Sequence, residues 1–190
     1  MKIVSQNLTN YNIPIPTDAI FRINLAWVNN LAELESLLQK HDQHEIFLDL
    51  PINRTKPPNN SYDMSQLIPI LNAHQNVRYF AISNVNYPSD IADFINILPR
   101  QITIVPKIES PEGVQNIDKI TASLPYAKKV IMLDHDDLYS ALTKKGEPPS
   151  SFKDYFNRLV KFCNDSNIVL LRTIGVIFSD EEKRVSQYIK

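Results

Sequence analysis

The sequence predicts an α/β fold in which helices cover a parallel sheet. Short apolar, β-branched runs alternate along the 190 residues with segments whose apolar residues recur at helical spacing. About seven β–α units follow one another through short connections, a pattern typical of parallel strands joined by right-handed crossovers. Because a (β/α)8 barrel ordinarily needs roughly 250 residues, we expect a TIM-barrel-like fold that is truncated or irregularly closed.

Composition is typical of a globular protein with a single domain. The chain is 43% hydrophobic and 22% charged, which supports one core, and no linker divides it, so residues 1–190 are expected to form one domain. A net charge of −1 without Lys/Arg runs gives no electrostatic basis for binding nucleic acid or an anionic membrane. The single cysteine, Cys163, lies on the apolar side of a helical pattern and fits a reducing, cytoplasmic compartment.

Four strands and three helices are predicted in the first half of the chain. The strands are 2–8, 19–27, 45–50 and 77–85. Four leucines at helical spacing predict a helix over 31–40. A second helix over 65–75 contains Pro69, which should lie in its first turn or bend it. The third helix, 89–98, has Ser89 as its expected N-cap.

The second half repeats the alternation. Strands are expected from 102, over 130–133 and over 168–178. Helices are expected from 111, over 151–164 and from 179 onward, the last beginning with a capping box of Ser179 and Glu182. The polar segment 143–149 could form a lid over the strand ends.

Charged residues follow two consecutive predicted strands. Lys107 and Glu109 are two residues apart at the end of one strand, so their side chains point to the same face. The next strand runs directly into Asp134, Asp136 and Asp137. Parallel strands place their carboxyl ends at one edge, where such folds carry their chemistry, so a divalent-metal site is predicted there. Asp137 is the first choice of ligand among the three aspartates, and the other two are expected to be solvated or to cap a helix.

Most of these residues also have a structural interpretation. Lys107 and Glu109 could form an ion pair at a strand end, and Arg22 could bind only a neighbouring carboxylate such as Asp49. His135, inside the aspartate cluster, could be a ligand or a base, or could simply pack against its neighbours.

Several segments together resemble a known family. The succession FRIN, FLDLP…RT, FAISNV…SDI, PKIESPEGVQNIDKI and IMLDHDDL resembles the barrel domain of pyruvate kinase. It also resembles the wider superfamily of phosphoenolpyruvate- and pyruvate-binding barrels, including the citrate lyase β-subunit and class II 2-oxo-acid aldolases. The most specific part is KIE followed by GVxNxxxI, and the matching segments extend over nearly the whole chain in order.

The resemblance implies a metal and a set of site residues. Glu109 and Asp137 match the carboxylates that hold the catalytic Mg²⁺ (or Mn²⁺), and Lys107 matches the lysine beside the enolate. A cation bound in this way stabilises the developing oxyanion. A nearby lysine neutralises the enolate, or transfers a proton if its pKa is lowered.

The remaining matches concern the substrate. Arg22 matches the arginine that contacts the substrate's phosphate or carboxylate, and Asn24 lies with it in the same motif. Thr173 falls where pyruvate kinase has its active-site threonine, so Lys107, Arg22 and Thr173 form the expected catalytic set. Substrate binding is expected to involve Asp49 and Arg54 as well, although the spacing between these two is shorter here than in the family.

Departures from the family pattern modify the expected activity. Ala26, Trp27 and Val28 stand where pyruvate kinase has Ser-His-Gly, and a Pro-rich loop over 51–62 replaces the lid domain. Neither a lid domain nor a C-terminal regulatory domain is expected. Pyruvate kinase activity itself is therefore not expected either. We expect Mg²⁺-dependent enolate chemistry on pyruvate, oxaloacetate or phosphoenolpyruvate, most simply by a carbon–carbon lyase or aldolase. The alternative is a catalytically degenerate barrel that binds a ligand or serves assembly.

Closure of the barrel generates the last expectation. A parallel barrel without its eighth strand exposes the backbone of its first and last strands. A second copy of the chain or a partner subunit is therefore expected to cover the gap, with the segment 7–16 of the same chain as the alternative.

Overall fold

Seven strands form the sheet on which the chain is built, and the computed structural model describes residues 1–6, 14–52, 58 and 60–172. The strands are β1 Ile3–Ser5, β2 Ile20–Asn24, β3 Ile46–Leu50, β4 Val77–Ile82, β5 Thr103–Ile108, β6 Val130–Leu133 and β7 Val169–Arg172. The helices are α1 Leu31–Lys40, α2 Met64–Ala73, α3 Ser89–Ile97, α4 Pro111–Gln115, α5 Ile117–Ala122, α6 His135–Lys144 and α7 Ser151–Asp165. A short 3-10 helix, Leu25–Trp27, follows β2.

The strands pair in chain order, β1 to β7, and every pair is parallel. The predicted α/β class is thus confirmed, and the sheet curls into part of a barrel, which agrees with a truncated barrel. Within the described residues, β1 and β7 each pair on one side only. The expectation that another chain covers this gap stays a prediction, and most of the alternative segment 7–16 lies outside the described residues.

Apolar side chains fill both faces of the sheet. The larger cluster joins strand residues such as Ile104 and Ile108 to the inward faces of the helices. The smaller cluster lies on the opposite, inner face and includes Phe47, Ala81 and Val105. Full burial of one large side chain stabilises the fold by about 1.5–3 kcal/mol, so both clusters hold the sheet. Because side chains alternate along a strand, the residues that continue the inner row emerge at its carboxyl edge.

Two strands end earlier than the sequence predicts. β2 ends at Asn24 because the Asn24 side chain accepts a hydrogen bond from the Ala26 N–H at 3.0 Å and starts the 3-10 helix. β4 ends at Ile82, and Asn84 then turns the chain with a φ of 57°. In both cases a side chain or turn conformation, rather than apolar patterning, sets the boundary.

One helix prediction is wrong in detail, and a second is narrowed to one alternative. Ser89 is the first residue of α3 and not its cap, since the Asn86 and Tyr87 N–H groups donate to Asp90 Oδ2 at 2.7 and 2.9 Å. Pro69 lies within α2 beyond its first turn, which excludes the first of the two predicted alternatives; the bend stays a prediction.

The region after β6 also differs from the prediction. Helix α6 runs to Lys144, so the predicted polar loop over 143–149 begins later than expected. The predicted last strand is confirmed from Val169 to Arg172, whereas 173–178 and the helix expected from Ser179 lie outside the described residues. None of the helices in the described part of the chain has the length and apolar character needed to cross a bilayer.

The buried thiol of Cys163 provides a test of the core. Cys163 lies on α7 with 2% of its surface exposed, and burial raises the pKa of its thiol to about 11. Because the thiolate is the reactive form, we expect no measurable labelling by DTNB at pH 8 in the folded protein. In urea at ~8 M, which unfolds most small domains, one thiol per chain should be labelled. Fast labelling without urea would mean that α7 does not bury this residue.

Candidate metal and anion site

Four charged side chains meet on the inner face at the carboxyl edge of the sheet. Arg22 from β2 forms an ion pair with Asp49 Oδ2 at the end of β3. Lys107 Nζ, from β5, lies 3.5 Å from Asp49 Oδ1 and 2.9 Å from Glu109 Oε1. The result is a continuous chain of ion pairs, Arg22–Asp49–Lys107–Glu109, across three strands. The register makes this possible because β2, β3, β4 and β5 are consecutive neighbours in the sheet.

Lys107 is a buried, fully paired ammonium group. Its side chain is 8% exposed, and Nζ also donates to Ser83 Oγ at 3.1 Å, just beyond β4. Burial alone would lower the pKa of Lys107, but attraction to Asp49 and Glu109 outweighs it and holds the pKa above its usual range. Lys107 therefore carries a positive charge at neutral pH, which suits the neutralisation of an anion and not the proton transfer that needs a lowered pKa.

Glu109 experiences opposing effects. Burial raises its pKa, and the Lys107 ammonium together with the Asn84 N–H, which donates to Oε2 at 2.6 Å, opposes this rise without cancelling it. The nearby charge of Asp134 adds to the rise. A cation placed against Glu109 would relieve both burial and repulsion, since an opposite charge favours the ionised form.

Three carboxylates form a cluster at this edge. Glu109, Asp134 and Asp137 each offer an oxygen, and these oxygens lie within 4.8 Å of one another. Asp134 follows β6, donates its N–H to the Ile108 carbonyl at 3.4 Å, and caps α6 by accepting the Asp137 N–H at 3.3 Å. Oxygen-only ligand sets suit hard cations such as Mg²⁺ and Mn²⁺, so this donor set fits the predicted metal.

The charges of the whole set are unbalanced. Arg22 and Lys107 face four carboxylates, those of Asp49 and of the cluster. Two positive and four negative groups leave a formal charge of −2 when all are ionised. One divalent cation would neutralise that charge.

The structure brings together most of the sequence-predicted site residues, but not all. Asn24 lies at the same edge, where its side-chain oxygen caps the 3-10 helix; a role in substrate binding stays a prediction. Arg54 and Thr173 lie outside the described residues. The ring of His135 is near Phe152 and Phe156, with centroids 6.2 and 5.9 Å apart, which agrees with the packing interpretation.

Sequence reasoning missed three contributors. Ser83 continues the inner row two residues after Ala81, a signal that alternation could have provided. Asp134 continues the row of Met132 in the same way, although the sequence predicts for it only a capping or solvated role. The hydrogen bond from the Asn84 N–H to Glu109 could not be found from the sequence. The only hint is that asparagine tolerates positive φ better than most residues.

Comparison with known proteins gives a partial likeness. The chain is 48% identical over 94 residues to a pyruvate kinase of Staphylococcus haemolyticus, and 47% identical over 93 residues to a pyruvate kinase of Staphylococcus epidermidis. Each likeness covers 47% of this chain and 14% of the relative. The chain thus matches about one seventh of the length of these relatives. No family model matches the sequence.

A solved structure supports the fold. RipC from Yersinia pestis superimposes with a TM-score of 0.57 over 86% of this chain and 72% of its own, at 15% sequence identity. At that identity the likeness concerns the fold alone. Half of the chain is therefore similar in sequence to pyruvate kinase, and most of it shares a fold with RipC.

Removing the Lys107 charge should destabilise the protein strongly. In Lys107→Met, Asp49 and Glu109 lose their shared cation, and breaking a buried pair by removing one partner costs about 3–5 kcal/mol. The loss should appear as a lower midpoint of urea unfolding at pH 7. Because the folded pKa of Lys107 lies above its unfolded value, this stabilisation persists through the neutral range and fades only as the pH rises through the folded pKa.

Two further variants control this measurement. Lys161→Met removes an exposed lysine that pairs with Asp165 at 2.7 Å on the surface of α7, and it should leave the midpoint nearly unchanged. The double variant Lys107→Met/Glu109→Gln should recover part of the loss, because one unpaired carboxylate is removed. A small loss in Lys107→Met alone would show that water already screens the site.

Proposed function

We propose that this chain is a (β/α)8-type barrel domain of the phosphoenolpyruvate- and pyruvate-binding superfamily that binds Mg²⁺ or Mn²⁺ and a small 2-oxo acid. The proposed reaction passes through an enolate, most simply in a carbon–carbon lyase or aldolase. The observation that carries the proposal is the adjacency of two groups of residues. The carboxylate cluster of Glu109, Asp134 and Asp137 contacts Lys107 through Glu109, and Asp49 links Lys107 to Arg22.

Each residue has a defined part in this proposal. Glu109 and Asp137 would hold the cation together with Asp134, and the bound cation supplies Lewis-acid stabilisation of an enolate oxygen. Lys107 remains protonated and stabilises negative charge next to Glu109. Arg22 keeps its Nε–H buried and without a partner among the described residues, so this donor is available to a substrate carboxylate.

The second candidate function is a ligand-binding or assembly module without catalysis. It is favoured by the ion-pair chain itself, since Arg22 and Lys107 are already paired with Asp49 and Glu109. Such pairing balances the charges of both cations without a substrate. The two candidates differ in whether a bound metal activates a 2-oxo acid.

Metal binding is the first test of the proposal. Mg²⁺ or Mn²⁺ at about a hundred times its dissociation constant should stabilise the folded protein by about 2.7 kcal/mol, which a thermal melt detects as a higher Tm. Asp137→Asn should abolish most of this shift, because one ligand of the cluster is lost. Melts with oxalate added, as a mimic of an enolate, should show a larger shift if substrate completes the coordination.

Asp136→Asn is the matched control for the metal test. Asp136 is an exposed neighbour on α6 that lies outside the cluster, and its substitution changes the net charge equally. The variant should retain the shift. Equal losses in both aspartate variants would mean a nonspecific charge effect, and the absence of any shift in the wild type would favour the module without a metal.

Enolate formation is the second test. The protein with Mg²⁺ or Mn²⁺ should catalyse exchange of the methyl protons of pyruvate in heavy water, seen by ¹H NMR as loss of the methyl signal. Glu109→Gln should abolish the exchange because the cation loses a ligand. Metal binding without exchange would support the ligand-binding module over the lyase.

A further inference from the structure

We propose that Asn84 is a positioning residue whose left-handed backbone holds Glu109 in its metal-binding orientation. The inference rests on the metal site of the proposed function and adds a residue that contacts neither metal nor substrate. Its basis is one backbone hydrogen bond together with the loop that fixes it. The loop, called here the clamp loop, consists of residues 83–86 after β4.

The conformation of Asn84 is the first observation. Its φ of 57° lies in the left-handed region, where a Cβ crowds the backbone and where asparagine is better tolerated than most residues other than glycine. In that conformation the Asn84 N–H points at Glu109 Oε2, 2.6 Å away. Asn84 itself is exposed, so burial does not explain the strained backbone.

The clamp loop is anchored immediately downstream of this residue. Val85 is fully buried, and its N–H donates to the Lys107 carbonyl at 3.2 Å. The Asn86 carbonyl accepts from Asn116 Nδ2 at 3.1 Å. A Cβ placed on Gly113 would lie 2.7 Å from the Val85 carbonyl oxygen, so the loop packs directly on the first turn of α4.

These anchors transmit any change at Asn84 to Glu109. Val85 is held in place. If residue 84 changes from positive to negative φ, the peptide group between residues 83 and 84 therefore has to rotate. That peptide carries the N–H on Glu109 Oε2, so the hydrogen bond would be lost. Glu109 would then keep only Lys107 on Oε1 and would be free to turn away from Asp134 and Asp137.

The expected size of the effect follows from other metal sites. Partners that orient a ligand through hydrogen bonds typically change metal affinity by about 10- to 100-fold when they are lost. A role that is only structural would change stability without this selective change in affinity.

The side chain of Asn84 suggests the experiment. Its Nδ2 donates to the Ile52 carbonyl at 2.7 Å, and this bond is absent from both Asn84→Gly and Asn84→Ala. The two variants therefore differ mainly in backbone preference, because glycine adopts positive φ without cost and alanine does not. Glycine at position 84 should therefore keep the positive φ of the wild type, whereas alanine should disfavour it.

Isothermal titration with MnCl2 should compare the wild type with both variants, each first shown to be folded by its thermal melt. We expect Asn84→Gly to bind Mn²⁺ within about threefold of the wild type and Asn84→Ala to bind about tenfold more weakly. Equal affinities in the two variants would overturn this inference alone. A wild type that binds no Mn²⁺ would overturn the proposed function and this inference with it.

A second measurement covers the case in which Asn84→Ala does not fold. In the wild type, the amide proton of residue 84 should exchange slowly with heavy water, because it is bonded to a carboxylate. In Glu109→Gln the charge of the acceptor is lost, so that amide proton should exchange faster and its resonance should move upfield. An amide unaffected by this substitution would overturn the inference.

Discussion

The pairing of the Lys107 ammonium group constrains the whole carboxyl edge of the sheet. A charge taken out of water costs several kcal/mol unless it is paired and hydrogen-bonded. Lys107 meets this requirement with Asp49 from β3, Ser83 beyond β4 and Glu109 just beyond the end of β5. These partners can converge only if β3, β4 and β5 are neighbours in this register. The electrostatic requirement and the strand order therefore support each other.

The same strands perform two tasks along their length. On β5, Val105 belongs to the apolar cluster of the inner face, and Lys107 and then Glu109 follow it on that face toward the carboxyl end. β3 repeats the pattern with Phe47 followed by Asp49. The amino-terminal part of the inner face supplies apolar burial, and the carboxyl-terminal part supplies charge. The core thus holds the charged groups at fixed positions.

Much of this arrangement is predictable from sequence because it depends on alternation. The side-by-side placement of Lys107 and Glu109, and their approach to Asp137, follow from strand periodicity and from the common edge of parallel strands. The turn at Asn84 is not predictable from alternation, because its conformation depends on anchors that are distant in sequence. Asp134 has two roles at once, as helix cap and as member of the cluster, and local patterning identifies only the first.

The excess of carboxylates is a feature that the proposed metal site accounts for and a purely structural ion-pair network does not. A structural network is most stable when its charges match, and Arg22, Asp49, Lys107 and Glu109 already match one another. Asp134 adds a like charge that raises the pKa of buried Glu109. Such an unfavourable arrangement is typical of sites that bind a cation or perform chemistry. Under the proposed function, an anionic substrate would meet the same repulsion, so the proposed cation would have to bind before it or together with it.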